Sequence, residues 1–236
     1  MEKEELWKGY YTYYFSEANR KGVNPVAILD EQWFDGRTTA ETCVLPHVSR
    51  DSVVLEIACG IGRVSRFLWP HCRDLYCVDI LEEALAEIKK NSRNSPNVYY
   101  QKTSGYDLSA FKADFFDCVY SFATFFHFDF ELVVAYFGEI KRILKPEGIG
   151  IIEFKRWVHK EDVIQLFEKI EARGGIKKYE AEIDKWRYVS KEMLEVLCDF
   201  YGLTVIDDDV TRYTFRKPAY NSSSSNNLPV GDPSPA

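Results

Sequence analysis

Five apolar runs, each separated from the next by a stretch of helical spacing or a turn, constrain this chain more than any other feature. They are VVLEIA (53–58), LYCVDI (75–80), NVYYQK (97–102), FDCVYSF (116–122) and GIGIIEF (148–154). Leu81, Ala84, Leu85 and Ile88 form one helical stripe between them, and Val133, Phe137, Ile140 and Leu144 form another. Near-continuous apolar strands alternating with helices predict an α/β fold: a mostly parallel sheet, covered on both faces, with right-handed crossovers. Lys145-Pro146-Glu147-Gly148 stops the helix before the fifth strand. A further helix runs through Val163, Phe167 and Ile170 to Gly174-Gly175, and another from an N-cap at Ser190 to Gly202. LTVIDDD and VTRYTFRK then read as a closing hairpin.

The length of 236 residues suits one α/β domain. We read 1–220 as that domain, 1–50 as its aromatic N-terminal helical segment, and 221–236 as a disordered tail without apolar period. An apolar share of 46% with 15% aromatics argues for a packed globule. No run approaches the roughly 20 apolar residues of a membrane span. The first residues, MEKEELWKGYYTYYF, are acidic and aromatic, unlike a secretion signal, so a cytoplasmic location away from any membrane is expected. A formal charge of −7 opposes attraction to phosphate backbones, and nucleic acid is not expected as a partner. Cys43, Cys59, Cys72, Cys77, Cys118 and Cys198 include no C-x-x-C pair, so neither a metal site nor a disulfide framework is indicated. The sequon at Asn221-Ser222-Ser223 carries little weight without that signal.

The informative segment is VVLEIACGIGRVSRFL, a strand running into Cys59-Gly60-Ile61-Gly62 and then a helix from about Arg63. Two glycines let the backbone turn tightly beside a ligand, and a helix start favours an anionic group. By itself G-x-G is weak, because glycine pairs also end strands for structural reasons. Two acids strengthen it: Glu56 on the strand, and Asp79 at the end of the next strand. Asp79 is placed either to accept both hydroxyls of a ribose or to cap the helix starting near Leu81. A nicotinamide-binding fingerprint would place a third glycine at Ser65 and gives Glu56 and Cys59 no role.

With E-x-A-C-G-x-G, VDI, SGYDL, FDCVYSF and LKPEGIGIIEF, the chain resembles the class I S-adenosylmethionine-dependent methyltransferases over about residues 53–154. The resemblance implies a three-layer Rossmann-like fold: a seven-stranded, mostly parallel sheet with an antiparallel strand in a C-terminal hairpin. It implies S-adenosylmethionine as cofactor. Ala58, Cys59, Gly60, Gly62 and Arg63 would surround its methionine part, with Glu56 near the ammonium. Asp79 would hold the ribose and Ile80 an adenine face, while Ser104, Gly105 and Tyr106 would meet the adenine edge. Ser121 and Phe122 would stand beside the transferable methyl.

Methyl transfer needs alignment more than it needs a base. The segment SFATFFHF lacks the N/D-P-P-Y sequence of methyltransferases acting on amino groups of nucleobases or glutamine. His127 is either a base or hydrogen-bond partner at the acceptor or a structural histidine among phenylalanines, and Arg37 either pairs with the cofactor carboxylate or is solvated. Trp7, Tyr10, Tyr11, Tyr13, Tyr14, Trp33 and Phe34 either form a lid or pack the first helix on the sheet. Trp157, His159, Trp186, Arg187 and Tyr188 lie where substrate contacts vary in this family. The expected function is methylation of oxygen or nitrogen on a small organic molecule by a monomer or homodimer. A protein or peptide methyltransferase and a non-catalytic cofactor-binding subunit are the alternatives.

Overall fold

The computed structural model of the chain describes residues 3–93, 95–156, 159–172, 174–175 and 186–220; the tail at 221–236, with its sequon, and Trp157 lie outside them. The five expected strands are β1 (Val53–Ile57), β2 (Asp74–Asp79), β3 (Val98–Lys102), β4 (Phe116–Ser121) and β5 (Leu144–Glu153). β6 (Lys155–Arg156) and β7 (Tyr188–Val189) form a small parallel pair, and β8 (Thr204–Asp208) and β9 (Arg212–Arg216) form the closing hairpin. The sheet order is β3-β2-β1-β4-β5-β9-β8, with β9 antiparallel to both neighbours and the other pairings parallel. This is the seven-stranded Rossmann-like sheet expected.

Both faces are covered because β1 alternates apolar residues to each side. Val53, Leu55 and Ile57 pack with Val133, Phe137 and Ile140 of α5 (Phe130–Ile143) and with Leu194 and Leu197 of α7 (Lys191–Tyr201). Val54 faces the opposite layer, with Leu85 and Ile88 of α4 (Glu82–Asn91). The Ser190 hydroxyl accepts the Met193 N–H at the start of α7, and Gly202 closes that helix in the left-handed conformation at φ 63°. The stop at Lys145–Gly148 takes the form of a bulge: Phe116 pairs with Leu144 but Cys118 with Ile149, and Glu147 has φ 65°.

One expectation changes. No α-helix starts near Arg63; turns and a single 3₁₀ stretch, Ser65–Phe67, fill that place. Pro70 explains it, since the residue before a proline is driven out of the helical region and too few positions remain for two α-turns.

The N-terminal segment folds as α1 (Lys3–Lys21), α2 (Pro25–Gln32) and α3 (Gly36–Thr39). Tyr14 Oη donates to Gln32 at 2.9 Å and accepts from Trp33 Nε1 at 3.1 Å, tying α1 to the end of α2. Glu4–Lys102 at 2.8 Å and a Lys8–Glu83 pair hold α1 over the end of β3 and the start of α4. A remaining helix, α6 (Lys160–Ala172), covers the stretch read as helical through Ile170. Among the described residues no helix is long and apolar enough to cross a membrane.

Candidate functional site

The carboxyl ends of β1 and β4 flank the point where the strand order reverses, the place where open α/β sheets bind ligands. Both strands end in strained alanines, Ala58 at φ 55° and Ala123 at φ 56°, followed on the β1 side by Gly60 at φ 53°. These bends part the chain and leave a cavity of about 490 Å³. That size lies within the roughly 300–1,000 Å³ of small-molecule sites.

Asp79 is buried at its rim and brackets the bend. Its Oδ2 accepts the Gly60 N–H and its Oδ1 the Leu81 N–H, both at 2.9 Å. Leu81 is itself the N-cap position of α4, so Asp79 makes an Asx-type turn ahead of that helix. Each carboxylate oxygen keeps a lone pair for a hydroxyl in the cavity. Burial raises the Asp79 carboxyl above its ordinary value, against the lowering pull of those N–H bonds.

Glu56 is the second buried acid. It accepts the Ser65 hydroxyl, and burial pushes it up to about 7. The Tyr120 hydroxyl lies beside it, out of hydrogen-bond geometry and without another partner. Arg63 enters the cavity wall with its guanidinium 3.8 Å from the Phe34 ring centroid, one nitrogen donating to the Phe34 carbonyl, and its Nε buried without a hydrogen-bond acceptor, 3.6 Å from Asp30.

Of the expected cofactor-binding and catalytic residues, Glu56, Ala58, Cys59, Gly60, Arg63, Asp79, Ile80, Ser104, Gly105, Tyr106 and Phe122 line this cavity. Four do not. Gly62 stands behind the bend, where an added Cβ would come 2.7 Å from Ile88, so its freedom serves packing of the turn on α4. The Ser121 hydroxyl donates to the Ile57 carbonyl at 2.8 Å and ties β4 to β1. Arg37 is solvated, pairs with Glu41 and lies over Phe67, whereas Arg63 is the arginine in the cavity wall. His127 stands one pocket away, its ring 5.2 Å from that of Trp7. His159, Trp186, Arg187 and Tyr188 are also outside the lining.

Two further contributors belong to the aromatic segment read as either a lid or helix packing, and a third, Glu153, the sequence reading missed. Trp7 and Tyr11 of α1 roof the cavity, and a Cβ on Gly60 would meet the Tyr11 hydroxyl at 2.2 Å. Glu153, ending β5, accepts the Ala123 N–H at 2.6 Å and so holds the bend after β4 in its left-handed form. Glu153→Ala is expected to cost about 1–3 kcal/mol by orphaning that N–H. Adding Ala123→Gly should recover about 1 kcal/mol, since glycine adopts positive φ freely. Urea unfolding of the single and double variants checks this, and equal midpoints with and without Gly at 123 would refute the coupling.

Residues 55–152 match the family model of a methyltransferase domain. The chain carries a methyltransferase domain over that segment. Its fold is shared with a SAM-dependent methyltransferase from Methanosarcina mazei (TM-score 0.60, 16% identity, 76% of this chain and 98% of that one). The YcgJ protein of Bacillus subtilis aligns at TM-score 0.57 with 17% identity, over 74% of this chain and 70% of that one. An O-methyltransferase family protein from Burkholderia thailandensis aligns at 0.63 with 13% identity, over 82% of this chain and 57% of that one. At such identities the likeness is one of fold. No curated protein is significantly similar in sequence.

S-adenosylmethionine is the cofactor of such a methyltransferase domain, and the crevice suits it. Glu56 is buried with its carboxyl raised, short of a cationic partner, which an ammonium would supply. Arg63 offers an unsatisfied buried donor in the same wall, and Asp79 has free lone pairs at the rim.

Proposed function

We propose that the chain transfers a methyl group from S-adenosylmethionine to an oxygen or nitrogen of a small organic molecule. The observation that carries this reading is the larger, roofed cavity. It is lined by two buried acids, the Ser104–Tyr106 turn, and Phe122, Ala123 and Thr124, with Trp7 and Tyr11 of α1 joining the wall. A roof over the transfer point favours an acceptor small enough to be enclosed and supports exclusion of water.

The cofactor supplies a methyl on a sulfonium, which is displaced in line by the acceptor. The chain's part is to hold and align. Asp79 would grip the ribose, Glu56 the ammonium and Arg63 the carboxylate, while Ile80 and the Ser104–Tyr106 turn would enclose the adenine. Glu153 fixes the Ala123 bend against which the acceptor would rest. Calorimetric titration with S-adenosylhomocysteine tests the first half of the proposal, which absence of binding at millimolar ligand would end. Incubation with methyl-labelled cofactor against metabolite and peptide pools tests the second, with label expected in the small molecules.

A further inference from the structure

A second, smaller pocket abuts the cofactor cavity, sharing Trp7, Tyr11, Arg63 and Ala123 with it. Its remaining walls are Tyr10, Leu29, Trp33, Phe126 and His127, and it holds about 80 Å³. We propose that this pocket takes the ring of a small aromatic hydroxyl compound, a phenol, and that the ring oxygen is the methyl acceptor. The inference rests on the methyltransferase reading above and narrows its substrate class.

Three observations lead there. The first is place: the two cavities share walls at Trp7, Tyr11, Arg63 and Ala123, the last in the bend after β4 held by Glu153. An acceptor seated in the smaller pocket therefore lies next to the cofactor cavity. The second is shape: indole, phenol and phenyl walls surround it, and aromatic rings pack edge-to-face or offset at such walls. Trp7 already stands edge-on to both Tyr10, at 5.4 Å, and His127. A dry apolar cavity of roughly 150 Å³ holds a benzene, so a pocket of about 80 Å³ takes part of one ring, and the rest of the acceptor must extend beyond it toward the neighbouring larger cavity.

The third is charge. The acids of the site, Glu4, Glu56 and Asp79, line the larger cavity, and no carboxylate lines the smaller one. Its permanently charged wall residue is Arg63, whose partner Asp30 is not in the lining. Burial raises the Tyr10 and Tyr11 hydroxyls, so both stay protonated and able to donate. Donors on a wall without carboxylates suit an oxygen with lone pairs or negative character. A protonated amine would lose its hydration there and find no carboxylate in the lining.

In the transfer an O–CH3 bond forms as the S–CH3 bond breaks. The bonding pair stays on sulfur, leaving a neutral thioether, and the hydroxyl proton leaves to water. The test uses the full chain saturated with S-adenosylhomocysteine and titrated with phenol, aniline and benzylamine, read by tryptophan fluorescence. Phenol should bind at least ten-fold more tightly than benzylamine and more tightly than aniline, and with labelled S-adenosylmethionine it should yield the aryl methyl ether. Trp33 is 45% exposed, and Trp33→Ala removes the indole wall of the smaller pocket together with its hydrogen bond to Tyr14. It should weaken phenol binding about ten-fold, and by more than it weakens S-adenosylhomocysteine. Amines binding as well as phenol, or Trp33→Ala without effect, overturns the proposal. Bound S-adenosylhomocysteine without bound phenol sinks this inference alone, whereas failure of S-adenosylhomocysteine to bind sinks the methyltransferase reading with it.

Discussion

Glu56→Gln is expected to make the ligand-free protein more stable than wild type at pH 8, by about 3 kcal/mol, and no more stable below pH 4.5. The reason is the buried carboxyl, raised from the ordinary 4.5 to about 7. A raised acid favours the folded state while it stays protonated. That stability is fully present below the unfolded value and is lost as pH rises through the folded one. Glutamine keeps the acceptor that Ser65 uses and stays neutral at every pH, and its amide can donate to the unpartnered Tyr120 hydroxyl. Urea midpoints of both proteins across pH 4 to 8 measure the effect; parallel profiles would show that Glu56 is not held neutral. The same substitution should weaken S-adenosylhomocysteine, because the ammonium loses its carboxylate. A variant gaining stability as it loses ligand marks a group kept for binding at a cost to the fold.

What the chain announced in its sequence was whatever local chemistry decides. β1 to β5 were legible because each is an apolar run, and the bend because only glycine takes φ 53° and φ 87° at Gly60 and Gly62 without strain. Asp79 was legible because spacing alone puts an acid at the end of β2. Ala58 and Ala123 take the same left-handed conformation with no glycine to betray it, held there by long-range contacts such as Glu153 to Ala123. Glu153 had a signal that went unused: an acid ending a buried strand, as Asp79 does. That Arg37 is solvated while Arg63 lines the cavity depends on how α3 sits, with Gly36 so close to the Arg63 carbonyl that an added Cβ would come within 2.2 Å. Tyr11 and Trp7 reach the cavity from a helix more than forty residues upstream of the bend, and only tertiary packing brings them there.

Asp79→Ala should be the most damaging single change at the site, and Asp79→Asn only partly better. The wild-type carboxylate accepts from Gly60 and from Leu81, so alanine orphans two buried N–H groups at once. At about 1–3 kcal/mol for each unsatisfied donor, the loss is about 2–6 kcal/mol of stability, a large part of what a domain of this size possesses. Asparagine restores one acceptor but must turn its amide N–H groups toward the other backbone N–H, so it recovers about half. Neither variant can hold two ribose hydroxyls, and affinity for S-adenosylhomocysteine should fall by about 1–3 kcal/mol in asparagine, the variant that keeps more of the fold. Thermal unfolding and calorimetric titration separate the two effects. If Asp79→Asn binds as tightly as wild type, the carboxylate is only a bracket for the bend, and the ribose must be held by another group on the cavity wall.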